Sequence, residues 1–207
     1  MKQMRYLAVI LIGYLLGCSN MAYYITRMKN ADMRKYGSGN LGASNATILF
    51  GWGAGVLVAV HDIGKSVLAV ILARLLFPEL PYAGAAAGVA SVLGHIFPFY
   101  LKFKGGKGLA SFIGMSLALN WKIALAALVI LVLAMLITDY IVCGTLSVIV
   151  TFPVALGITS QNLILTLIVL VATAVIIVKH LENFKRILNR TEIGLRSTIK
   201  GENRIKQ

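Results

Sequence analysis

The chain has 207 residues, 58% hydrophobic and only 13% charged, about half the charged share of a soluble domain. With a mean hydropathy of +0.84 it lacks the polar surface an ordinary soluble enzyme needs, and these figures also exclude a disordered chain and a disulfide scaffold. Lys and Arg outnumber Asp and Glu by 20 to 7, which in so apolar a chain indicates basic cytoplasmic loops, with no nucleic acid as partner.

The class left is an all-α, polytopic integral membrane protein, a single transmembrane domain over residues 1–207. The first apolar run, residues 5–25, follows Lys2 and Arg5. Its Leu15-Leu16-Gly17-Cys18 is similar to a lipoprotein cleavage box, but the run has span length and more spans follow, so it reads as a membrane helix. Residues 26–45 are polar and glycine-rich. The apolar stretch 46–77, interrupted by His61, Asp62 and Lys65, predicts one long kinked helix. Pro78-Glu79-Leu80-Pro81 is a turn, and the Gly- and Ala-rich run 82–100 suits close helix packing in lipid. A basic glycine loop, 101–108, leads to helices predicted over 108–119, 121–138, 140–157 and 162–179, then to a charged tail from about 179. Cys18 and Cys143 lie inside apolar runs and suggest neither a bridge nor a metal site.

Topology follows from parity. Segments 26–45, 101–108 and 179–207 hold 15 of the 20 positive residues, so the positive-inside rule places all three on the cytoplasmic side. Even numbers of crossings must then separate them. This gives about seven transmembrane helices, the N-terminus outside and the C-terminus cytoplasmic. The weak segment is 108–119, which reaches only about 18 Å of a hydrocarbon core about 30 Å thick.

Four polar constellations could carry chemistry. Gly37-Ser38-Gly39-Asn40-Leu41-Gly42-Ala43-Ser44-Asn45 contains G-x-G-x-x-G, with Asp62 twenty residues past Gly42. No βαβ unit surrounds it, so it is not a dinucleotide fingerprint; its glycines and the following helix start could hold phosphate, or it is a capped inter-helix loop. Gly94-His95-Ile96-Phe97-Pro98 precedes Phe103-Lys104-Gly105-Gly106-Lys107-Gly108. Two lysines framed by glycines at a helix start make an anion cradle, though no Walker motif is present. His180 and Asn183, at i and i+3, share a helix face. Asp62 and Lys65 have the same spacing and form either an intramembrane ion pair or a reactive pair.

In this order, S-G-N-L-G-A-S-N, D-I-G-K, G-H-I-F-P with F-K-G-G-K-G-L-A, and H-L-E-N-F-K-R resemble the bacterial PlsY family of acyl-phosphate:glycerol-3-phosphate acyltransferases over nearly the whole chain. The resemblance implies a multi-pass enzyme of the bacterial inner membrane with a cytoplasmic-side active site. Its substrates would be acyl phosphate and glycerol 3-phosphate, its products lysophosphatidate and phosphate, its surroundings membrane lipid, with no coenzyme, cofactor or metal. It further implies Ser38, Lys104, His180 and Asn183 as catalytic residues, and Gly39, Asn40, Gly42, Asn45, Gly105, Gly106, Lys107, Gly108 and Thr145 as substrate-binding ones. Asp62, Lys65, His95 and Glu192 would support them. The sequence departs from the family pattern at Ile48, where an arginine is usual, at Val142-Cys143-Gly144-Thr145, where only Thr145 replaces the expected serines, and at Arg190, usually glycine. Arg186 and Arg190 are candidates to compensate for the missing arginine. The alternative expectation is a paralogue of altered substrate, or a non-catalytic lipid-binding protein or transporter.

Overall fold

The computed structural model describes residues 2–200, and no strand occurs among them. Helix α1 (Lys2–Cys18) and helix α2 (Met21–Met28) together form the first crossing. Asn20 restarts the helix, its side-chain oxygen accepting the Tyr23 N–H at 2.8 Å. Carbonyls at the break have distant partners: Tyr100 Oη donates to Cys18 O at 2.9 Å, and Lys65 Nζ to Ser19 O at 2.6 Å. Inside an apolar bundle such carbonyls need partners from the protein itself.

The stretch 46–77 is not one kinked helix. It divides into α3 (Ala43–Phe50) and α4 (Trp52–Leu76) at Gly51, whose φ of 86° no helix contains. Helix α3 packs back on α4: a Cβ at Gly55 would lie 1.8 Å from Thr47 Oγ1 and 3.2 Å from Ala43 O. Helix α5 (Ala83–Ile96) lies backbone to backbone on α1, where a Cβ at Gly17 would come within 2.1 Å of Ser91 O, and one at Gly94 within 2.2 Å of Tyr14 O. Small residues permit this approach, which supplies the dispersion contact that lipid cannot out-compete.

Then follow α6 (Leu109–Leu119), α7 (Trp121–Thr138), α8 (Ile141–Ser160), α9 (Leu163–Leu188) and α10 (Leu195–Lys200). Six segments among the described residues are long and apolar enough to cross a membrane, and α6 is the short seventh. Its C-terminal end lies by the end of α4, where Arg74 Nη1 donates to Ala118 O at 2.7 Å. Its N-terminal end starts inside the polar cavity described below. Helix α6 therefore traverses the bundle in 11 residues, about 16 Å, because the loop before it is sunk into the protein. Helix α9 runs on to Leu188, beyond the crossing expected over 162–179 and into the charged tail, and carries His180 and Asn183 within it.

The main core joins α4 through Val70 and α5 to α9 around Phe112 and Phe152, which meet edge to face at 6.0 Å. Pro153 interrupts α8. Proline has no N–H to give the carbonyl four residues back, and Thr173 Oγ1 donates to that carbonyl, Ile149 O, at 2.9 Å. Thr173→Val is expected to destabilise the protein by about 1–3 kcal/mol, and by less than half of that in a Pro153→Ala background, where the helix regains its own donor. Thermal unfolding of the four proteins in detergent measures both effects.

Candidate functional site

The polar loop after α2 is held by one side chain. Asn45, fully buried on α3, donates through Nδ2 to Met33 O, Tyr36 O and Asn40 O at 2.9, 3.2 and 3.0 Å, and its Oδ1 accepts the Ser38 N–H at 2.9 Å. Asn45 thus shapes the loop from behind while Ser38, Asn40, Gly42 and Ser44 line a cavity of about 280 Å³. The glycine loop after α5 forms a second wall. Gly108, at φ 101°, turns the chain into α6, and Lys107 and Gly108 face the cavity. Helix α9 gives His180, Asn183 and Arg186; helix α8 gives Thr145; the segment after α9 folds back to bring Glu192. Ile48, Ile63, Leu109, Ile113 and Val142 complete an apolar side. The three separated polar stretches therefore meet in one space.

A hydrogen-bonded chain ties the walls together. Lys107 Nζ donates to Asn183 Oδ1 at 2.6 Å, Asn183 Nδ2 donates to Glu192 Oε1 at 2.6 Å, and Arg186 Nε donates to Glu192 Oε2 at 2.5 Å. His180 lies 2.8 Å through Nδ1 from Ile176 O. A carbonyl only accepts, so Nδ1 carries the proton, and in the neutral ring Nε2 is left as an acceptor. Burial, together with the Arg186 guanidinium nearby, pushes the Lys107 ammonium down to about 8, against the opposing pull of Glu192 and Glu182.

Lys104 stands elsewhere. It is exposed and lines a second, more open pocket with Arg34, Gly39, Gly105, Gly106, Lys179 and Glu182. This pocket shares Ser38, Asn40 and Lys107 with the cavity. The lysine that reaches Asn183 is Lys107. Asp62 and His95 border the cavity floor, but their charge is engaged: Lys65 Nζ lies 2.8 Å from Asp62 Oδ1 and 3.0 Å from His95 Nδ1. This buried pairing accounts for intramembrane Asp and Lys without a transport path. Gly42 and Thr145 are buried in the wall, and the Thr145 hydroxyl donates to Ile141 O of its own helix at 3.1 Å. Arg186 belongs to the site although motif spacing pointed first to His180 and Asn183; its signal was a position one further helical turn along the same face.

A helical membrane protein built around a cationic, glycine-walled cavity with one apolar side is the class that these features define. The family model described as glycerol-3-phosphate acyltransferase matches residues 7–190. A glycerol-3-phosphate acyltransferase of Thermoanaerobacter sp. (strain X514) is 36% identical over 92% of this chain and 96% of its own, and glycerol-3-phosphate acyltransferase 1 of Oceanobacillus iheyensis is 34% identical over 94% and 97%. Crystal structures of PlsY (YgiH), an integral membrane glycerol 3-phosphate acyltransferase, superpose with TM-scores of 0.86 for the glycerol 3-phosphate form (31% identity, 91% of this chain and 94% of that one) and 0.84 for the lysophosphatidic acid form (29% identity, 94% and 98%). The chain belongs to the glycerol-3-phosphate acyltransferase family of integral membrane enzymes.

The Lys107 environment sets a pH dependence. Its ammonium is charged below about 8, and a phosphomonoester is dianionic above about 6. Affinity for such an anion, probed with glycerol 3-phosphate by calorimetry, is expected to be greatest between these values and to fall as pH rises through about 8. In Lys107→Arg, which stays charged throughout, the alkaline fall disappears. An affinity in the unsubstituted protein that stays level through the alkaline range contradicts the placement of Lys107.

Proposed function

We propose that this protein transfers a fatty acyl group from acyl phosphate to the 1-hydroxyl of glycerol 3-phosphate, releasing lysophosphatidate and inorganic phosphate. One observation carries the proposal: the cavity and the open pocket share a wall of Ser38, Asn40 and Lys107, as two phosphorylated substrates reacting with each other require. The acceptor occupies the enclosed cavity. The acyl phosphate head lies in the open pocket, among Lys104, Lys179 and Arg34.

Acyl phosphate is already activated, so no acyl-enzyme is needed, and no nucleophile–base–orienter set appears among the described residues. His180 Nε2 accepts from the attacking hydroxyl and orients it. The hydroxyl oxygen bonds to the acyl carbon, the acyl carbon–phosphate oxygen bond breaks, and the proton passes to substrate phosphate. Lys104 and Lys107 stabilise the charge that gathers on the departing phosphate. The basic loops carrying these lysines support a site on the cytoplasmic side, and the family supports the bacterial inner membrane as its place.

Purified protein in detergent is expected to release phosphate from palmitoyl phosphate only when glycerol 3-phosphate is added. Silence, beside a family enzyme active in the same assay, would reject the proposal. Lys104→Ala is expected to lower turnover roughly 100-fold or more, the scale of losing one charge-stabilising group, with its elution from size exclusion unchanged.

A further inference from the structure

We infer that Arg186 is an anion-binding residue of the enclosed cavity, where its guanidinium holds the phosphate of the acceptor. The inference rests on the acyl-transfer assignment for the identity of that acceptor and extends it to the arginine that closes the His180–Arg186 segment. Arg186 lines the cavity together with Ser38, Lys107, His180 and Asn183. Its Nε is fixed on Glu192 Oε2, so the group is oriented and not free to sweep. The side chain keeps 30% of its surface accessible and lines the cavity, and among the described residues its only side-chain hydrogen bond is the one from Nε, so both terminal nitrogens are without an acceptor. A cavity-lining guanidinium with unused N–H donors gains most from an anionic acceptor that enters beside it.

The charges agree. Asp62, at the cavity floor, is matched by Lys65 at 2.8 Å. Of the cavity-lining carboxylates this leaves Glu192, bonded to Arg186 and through Asn183 to Lys107, against two lining cations, with Glu182 on the neighbouring pocket; an anion gains most in such a partly apolar space. A purely structural partner for Glu192 does not account for the geometry: only Nε meets the carboxylate, where a guanidinium serving that carboxylate alone offers it two parallel donors. Across the cavity α3 presents Ile48, which has no charge to offer. Arg190 is not among the lining residues.

The test is a calorimetric titration of glycerol 3-phosphate, and in parallel of glycerol, onto the purified protein and its variants at neutral pH. Arg186→Ala is expected to weaken glycerol 3-phosphate binding roughly 10- to 100-fold, the loss of a charged hydrogen bond, and to leave glycerol binding unchanged. Arg186→Lys recovers only part, because an ammonium lacks the planar fork. Adding Ile48→Arg to Arg186→Ala, which places a guanidinium on the opposite wall, recovers most of the lost affinity. Affinity unaltered in Arg186→Ala, or weakened equally for glycerol, overturns the inference in favour of a structural role. Should Arg186→Ala fail to fold, Arg186→Lys decides by the same comparison, since it keeps the ion pair with Glu192; unaltered affinity there overturns the inference. The titration requires no turnover. A wild type that binds glycerol 3-phosphate but never transfers an acyl group rejects the acyl-transfer assignment alone, whereas one that binds none rejects both.

Discussion

The seating of the glycine loop on the last turn of α5 governs the rest of the architecture. Gly105 N–H donates to Ile96 O and Gly106 N–H to His95 O, each at 3.1 Å. These carbonyls belong to a helix end, where no intrahelical donor remains. The approach needs residues without a side chain: a Cβ at Gly105 would stand 2.1 Å from His95 O, and one at Gly106 2.0 Å from His95 Nε2. Because the loop lies against α5 and not on the bundle's surface, α6 begins at depth and needs only 11 residues to reach the far end. For the same reason Lys107 can reach Asn183 on α9. The short seventh helix and the enclosed cavity are two consequences of one close contact.

Beneath that loop a second constraint acts through hydrogen-bond stoichiometry. An ammonium has three donors, and Lys65 uses them on Asp62 Oδ1, Ser19 O and His95 Nδ1 at 2.8, 2.6 and 3.0 Å. His95 Nδ1 stands between the ammonium and Asp62 Oδ1, the latter at 3.4 Å, while Nε2 is the atom turned toward Gly106. One buried charge thereby joins the break between α1 and α2, the middle of α4 and the end of α5 under the glycine loop. Loss of any partner would strand a charge in the interior, which costs far more than the intact pair contributes.

Much of this was legible in the sequence, and the failures have physical causes. Hydropathy marked the long helices because burial in lipid is written directly in composition, and glycine–lysine spacing marked the loops. Hydropathy has no view of a single backbone angle, so the division at Gly51 inside an unbroken apolar run was invisible, and with it the return of α3 onto α4. Lys104 and Lys107 are three residues apart in one loop. Which of them faces inward is decided by the left-handed turns at Lys102 and Phe103, φ 54° and 59°, conformations that sequence favours only weakly outside glycine. Asn45 sits inside a motif of pocket residues, but its four hydrogen bonds go to backbone. A motif records which residues are needed together; it does not separate the residue that touches a ligand from the one that shapes the loop doing so.

The cavity's division into a cationic side and an apolar side bears on why such a site belongs at a membrane. Ile48, Ile63, Leu109, Ile113 and Val142 remove water from one flank, while Lys107, Arg186, His180 and Ser38 hold the other. Lower polarity around a fixed cation increases its attraction for an anion and, equally, the penalty for leaving that cation alone. The chain Lys107–Asn183–Glu192–Arg186 limits the penalty by placing one carboxylate among the cations. In the cavity lining that carboxylate is outnumbered by Lys107 and Arg186, while Glu182 pulls on Lys107 from the neighbouring pocket. The cationic side favours an anion over water, and the apolar flank beside it raises that preference by excluding solvent. The polar side is drawn from α9 and the two loops, the apolar side from α3, α4, α6 and α8, so the division exists only once the separate elements are packed together.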